Sequence, residues 1–61
     1  MSLVLRNEFG TVRVSVDTAG AGPRLLVENL ETGAAIHLDV LEVESLTRLT
    51  HDDFAGLVRP H

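Results

Sequence analysis

Apolar and polar residues alternate strictly over Thr11–Asp17. Val12, Val14 and Val16 fall on one side and Thr11, Arg13, Ser15 and Asp17 on the other, the period of two expected of a half-buried strand. Its β-branched residues suit a pleated surface, and a slip of one residue would bury Arg13 and Asp17, so the register is strongly specified. Upstream, Leu3-Val4-Leu5 predicts a short edge strand. Asn7-Glu8-Phe9-Gly10 then turns the chain, because Asn and Gly tolerate positive φ. Residues 3–9 read equally well as an arm packed on a neighbour. Downstream, Arg24–Leu30 predicts a strand with Leu25 and Val27 on one face and Leu26, Glu28 and Leu30 on the other. Apolar residues on both faces suit a central strand, or one whose outer face is covered by a helix or a partner. Glu31-Thr32-Gly33 predicts a tight hairpin loop with a left-handed Gly33 and a G1-type bulge. In the next strand, Ala34–Leu38, Ala34, Ile36 and Leu38 alternate with Ala35 and His37.

The period changes at Asp39. Asp39 can cap a helix, with Glu42 completing a capping box, and Val40, Val43, Leu46 and Leu49 recur every three residues. The spacing predicts a helix over Val40–Leu49; the rival reading extends the preceding strand through Val43, since Val40 and Val43 are β-branched. Thr50 is a good cap for a second short helix, with Asp52 and Asp53 in its first turn. Phe54, Leu57 and Val58 follow at i, i+3 and i+4 and make one apolar face. Gly56 weakens that helix, Pro60 ends it, and His61 lies loosely beyond.

Together these elements predict an α+β domain, an antiparallel three- or four-stranded meander followed by one or two short C-terminal helices. The stretch Thr11–Leu38 is its nucleus. The expected core is Val12, Val14, Val16, Leu25, Val27, Ile36, Leu38, Val43, Leu46, Phe54, Leu57 and Val58, with the terminal helices covering the three valines. Leu26 and Leu30 receive no obvious cover from those helices. They join Leu3, Leu5 and Phe9 as candidate interface residues, although Phe9 alone also suits a core position.

Length sharpens that picture. Sixty-one residues make a single small domain, 1–61, which buries only about 60% of the surface its unfolded chain exposes. Cysteine is absent, so neither disulfides nor thiolate metal sites can help. Hydrophobic residues nevertheless make up 44% of the chain, with a mean hydropathy of +0.18. So apolar a load in so small a chain favours oligomerisation, most simply a two-fold homodimer. No apolar run approaches the ~20 residues of a membrane span. No basic region precedes the apolar residues of the N-terminus, so a secretory signal is not read there and a soluble cytoplasmic protein is expected. Arginine is the only basic residue besides His, and Lys, Gln, Trp and Tyr are missing, a bias that a GC-rich genome produces.

Charge and chemistry exclude more than they propose. Arg6, Arg13 and Arg24 balance Glu8, Asp17 and Glu28 in residues 1–30, so the whole formal charge of −4 falls in residues 31–61. That acidic half, and an aromatic content limited to Phe9 and Phe54, argue against direct nucleic-acid binding. It suits a solvated helical face or a surface that meets a basic partner. The loop Thr18–Pro23 is glycine-rich, but no Walker Lys follows and the next element is a strand, so a phosphate cradle is not read there. His37 and Asp39 have a chelating spacing on a strand face, yet nothing closes a tetrahedral shell, and no metal or cofactor is expected. Ser15, Ser45 and Thr47 lack a positioned base, and Asp52 and Asp53 point apart by about 100° on a helix, so no enzyme is expected.

The run Val12-Arg13-x-Ser15-x-Asp17, the later Gly22-Pro23-x-Leu25 and the closing Asp53-Phe54-Ala55-Gly56-Leu57-Val58 resemble small actinomycete accessory proteins encoded beside helix-turn-helix regulators. The resemblance covers those pieces only. This chain inserts a long hairpin between them and lacks the family's Trp and Cys. The resemblance implies a regulatory, protein-binding role. The leading expectation is therefore a non-catalytic interaction module that binds another protein through a sheet edge or its acidic helical face. The alternatives are a small-molecule or metal-binding protein using a dimer cleft near His37, and a structural subunit of a larger assembly.

Overall fold

The structure, a computed structural model, describes residues 1–58. Four strands form one antiparallel meander in the order β1 (Ser2–Asn7), β2 (Gly10–Asp17), β3 (Arg24–Asn29) and β4 (Ala35–Leu38). Helix α1 (Val40–Ser45), a 3-10 turn (Leu46–Arg48) and helix α2 (His51–Val58) follow. The expected α+β architecture is the one observed. Pro60 and His61, expected to end α2 and lie beyond it, fall outside the described residues.

The first strand is longer than Leu3–Leu5, and it is paired in its own chain instead of standing off as an arm. It runs in register against β2 from Ser2 opposite Ser15 to Asn7 opposite Gly10. The turn between them uses no positive φ. Asn7 Oδ1 closes it by accepting from the N–H groups of Phe9 (2.8 Å) and Gly10 (3.2 Å). Among the described residues only Gly33, in the β3–β4 loop, has positive φ (81°), the left-handed conformation expected of it. Its N–H donates to the Asn29 carbonyl at 2.8 Å, and Asn29 Oδ1 accepts from Glu31 and Thr32, so Asn29 and Gly33 together fix the hairpin. Leu30 lies in this turn and not in the strand.

At Asp39 the helical reading prevails over a continued strand. Asp39 Oδ1 accepts from the Glu42 N–H (2.8 Å) and Glu42 Oε1 accepts from the Asp39 N–H (3.1 Å), a complete capping box. The regular helix stops at Ser45 and tightens into a 3-10 turn, short of the expected Leu49. Ser45 and Thr47 donate their hydroxyls back to the carbonyls of Glu42 and Glu44, at 2.6 and 2.7 Å. Leu49 is extended (φ −87°, ψ 157°) and redirects the chain. Thr50 and Asp53 then cap α2 reciprocally: Asp53 Oδ2 accepts from the Thr50 N–H at 2.7 Å and Thr50 Oγ1 accepts from the Asp53 N–H at 3.3 Å.

The main departure from expectation is the core. No described side chain is fully buried. Val12, Val14, Leu25, Val27, Leu38 and Val43 are half-buried, whereas Val16, Ile36, Leu46, Phe54, Leu57 and Val58 are exposed. The terminal helices do not cover the three valines. The backbone of α1 lies close to β3 and β4, and that of α2 comes close to no other element among the described residues. The physical reason is that each element satisfies its backbone locally, through ladders and caps, while apolar side chains need a second layer that a chain of this length supplies only at one corner. The radius of gyration, 12.8 Å, exceeds the roughly 10.5 Å of a compact chain of this size. No helix among the described residues is long and apolar enough to cross a membrane.

Candidate interaction surface

The register builds two unlike faces. Residues directly opposite one another in neighbouring strands share a face. One row therefore crosses the whole sheet as Leu3, Val14, Val27 and Ile36. Beside it run Leu5 with Val12 on one flank and Val16 with Leu25 and Leu38 on the other. This face carries almost no polar side chain, and only α1 approaches it. Leu3, Leu5, Val16 and Ile36 are each more than half exposed, at 62, 56, 55 and 55%. Monomeric soluble proteins rarely leave so contiguous an apolar surface in water.

Where α1 meets the sheet, Val40 and Val43 face Val16, Leu25 and Leu38 across an open notch of about 340 Å³. Pro23, Arg24, Asp39 and Glu44 form its rim. At the far end, the β1–β2 turn holds up Phe9, 86% exposed, beside a shallow hollow that includes Leu5 and Val12.

The other face is polar and complete in itself. Arg13 stands opposite Glu28 and makes a two-pronged pair, Nε to Oε1 at 3.0 Å and Nη2 to Oε2 at 3.1 Å. Asp17 Oδ2 is 3.4 Å from Arg24 Nη2 and 3.2 Å from His37 Nε2, while its Oδ1 accepts from the Ala19 N–H at 2.9 Å. That backbone bond, with the charges of Arg24 and His37, holds the Asp17 carboxyl below its ordinary range. The hydrogen bond and charge of Arg13 do the same for Glu28, and Glu28 in turn holds the Arg13 guanidinium above its own range.

The five candidate interface residues are spread over three places. Leu3 and Leu5 lie on the apolar face. Leu26 lies on the polar face, between Ser15 and His37 in register, and is half-buried. Leu30 sits in the β3–β4 turn, where its N–H donates to the Thr11 carbonyl at 3.0 Å. Phe9 is at the tip of the β1–β2 hairpin. What the sequence pattern missed is that Val16 and Ile36, expected in the core, belong to the open surface. Strand alternation assigns them to a face but cannot say whether anything covers it.

His37 turns to Asp17, and among the described residues no group of three His, Cys, Asp or Glu gathers as a metal site would require. The Ser45 and Thr47 hydroxyls donate to main-chain carbonyls of their own helix.

No family model, curated protein or solved structure matches this chain. Its reading therefore rests on its own two faces.

Proposed function

We propose that this chain is a non-catalytic protein-interaction module that works as a homodimer, an accessory regulator that acts by binding another protein. The observation that carries the reading is the open row Leu3–Val14–Val27–Ile36, apolar from one sheet edge to the other. At about 25 cal/mol per Å², leaving such a surface wet forfeits much of what a small fold has to stabilise it.

The area involved suits a second copy. The chain exposes 5282 Å², and its mass is 6.6 kDa. A compact monomer of that mass exposes about 3,900 Å², an excess of about 1,400 Å². One partner in an interface of ordinary size buries about 800 Å². The regulatory role rests on the resemblance of Val12–Asp17 and Asp53–Val58 to accessory proteins of helix-turn-helix regulators, and on the acidic residues 31–61, which suit a basic protein surface. In this division of labour the apolar face binds the second copy and the acidic helices meet the partner.

Sedimentation equilibrium at tens of micromolar is expected to give twice the chain mass, and a mass of 6.6 kDa would overturn the dimer. Co-purification from a native extract at low salt is expected to recover a protein partner whose retention falls with added salt. Recovery of the dimer alone would overturn the accessory role.

A further inference from the structure

The chain carries two unpartnered apolar surfaces, and their dimensions match. The first is the part of the sheet that α1 leaves bare. Strands lie about 4.8 Å apart and a helix with its side chains is about 10 Å wide, so one helix covers about two strands. Helix α1 takes β3 and β4, which leaves room for one more helix over Leu3, Leu5, Val12 and Val14 on β1 and β2. The second surface is on α2, where Leu57 and Val58 are largely exposed and Phe54, on the same side, is open over about a third of its surface, at 37%. The eight residues of α2 span about 12 Å. The apolar residues of β2, Val12 to Val16, span about 13 Å.

Helix α2 is also too short to persist unaided, since isolated helices below about 12 residues are marginal in water. Its N-terminus is capped, yet its backbone comes close to no other element among the described residues, and the chain enters it through the extended Leu49.

We propose that α2 is an exchanged arm, which in the dimer lies across the β1–β2 half of the second copy's apolar face. The occupant is a second copy because the excess accessible surface, about 1,400 Å² per chain, is more than the ~800 Å² that one partner buries in an interface of ordinary size. A hinge at Leu49–Thr50 lets the same element serve a neighbour, the low-cost route by which identical chains dimerise. The proposal rests on the dimer reading above and specifies which element makes the contact.

The absence of cysteine makes the test clean. Leu3→Cys and Leu57→Cys are prepared as separate variants, both at exposed positions, and each is first shown by sedimentation to keep the mass of the parent. They are mixed, refolded together and oxidised, and the linked peptides are mapped after cleavage at arginine. Exchange predicts that the 3–57 pair between chains outnumbers the 3–3 and 57–57 pairs by about tenfold, the ratio that a bias of ~1.4 kcal/mol gives. In the double variant it predicts covalent dimers and not an internal loop. A dimer that yields only 3–3 or 57–57 pairs, or a double variant that closes on itself, overturns the exchange and leaves the dimer reading standing. A parent that sediments as a monomer overturns both.

Discussion

The two faces of one sheet solve the same problem in opposite ways. The polar face pairs its charges across the strands, Arg13 with Glu28 and Asp17 with Arg24 on β3 and His37 on β4, so these groups are satisfied in water. The apolar face has rows just as continuous, but hydrocarbon has no equivalent of a cross-strand ion pair that works while wet. It is satisfied only by exclusion of water, and α1 excludes water from one corner. The inner strands β2 and β3 are paired on both sides, β1 and β4 each have a neighbouring strand on one side only, and the side chains of the apolar face are what lack a second layer. A chain of this length can thus form its helices and sheet without finishing its core.

The largest effect that can separate the faces comes from one charge placed on each. Val14 lies in the middle of the apolar row and Ser15 faces the other way. Val14→Asp places a carboxylate where the proposed second copy packs, a burial that costs several kcal/mol, so the proposed dimer is expected to weaken by about a thousandfold or more in sedimentation velocity. Ser15→Asp is expected to leave the mass unchanged. Equal loss from both would show that the polar face is also an interface.

A smaller effect reaches the apolar face through its one cover. Asp39→Ala removes the capping box that starts α1, and is expected to cost about 1 kcal/mol in urea unfolding. The notch between Val43 and Leu25 should loosen with it, giving faster amide exchange in α1 than in β2.

The smallest effect belongs to the polar face. Asp17 and Glu28 have carboxyls held below their ordinary values of 3.8 and 4.5 in the folded state. A lowered folded value means that their contribution is fully present above the ordinary range and is lost as the pH falls through the folded values. The unfolding temperature is therefore expected to drop modestly on acidification below about pH 4, and less so in high salt, because these groups lie in solvent. Arg13→Ala should flatten the part of that slope due to Glu28.

Much of this was legible in the chain. The alternation of Val12, Val14 and Val16 set the face of β2, and Asp39 with Glu42 three residues on announced the cap of α1. Gly33 marked the one position that needs positive φ. The limits of β1 were not legible, because Arg6 and Asn7 carry no strand pattern and are ordered by ladder pairing with β2. The placement of α2 was not legible either. The spacing of Phe54, Leu57 and Val58 says that the helix has an apolar side, whereas the surface that meets it depends on the backbone at Leu49, where side-chain periodicity carries no signal. Leu26 is apolar and points to the other face from Leu25 and Val27, which the alternation predicts without saying what surrounds it there. Register sets it among polar neighbours, while Val16 and Ile36, expected in the core, stand in the open.

The central claim is that a second copy completes this fold. Its most direct test is the thermal unfolding midpoint measured over about a hundredfold range of protein concentration. A fold completed by dimerisation gives a midpoint that rises steadily with concentration, because association stabilises only the folded chains. A midpoint that is sharp, cooperative and independent of concentration would contradict the account.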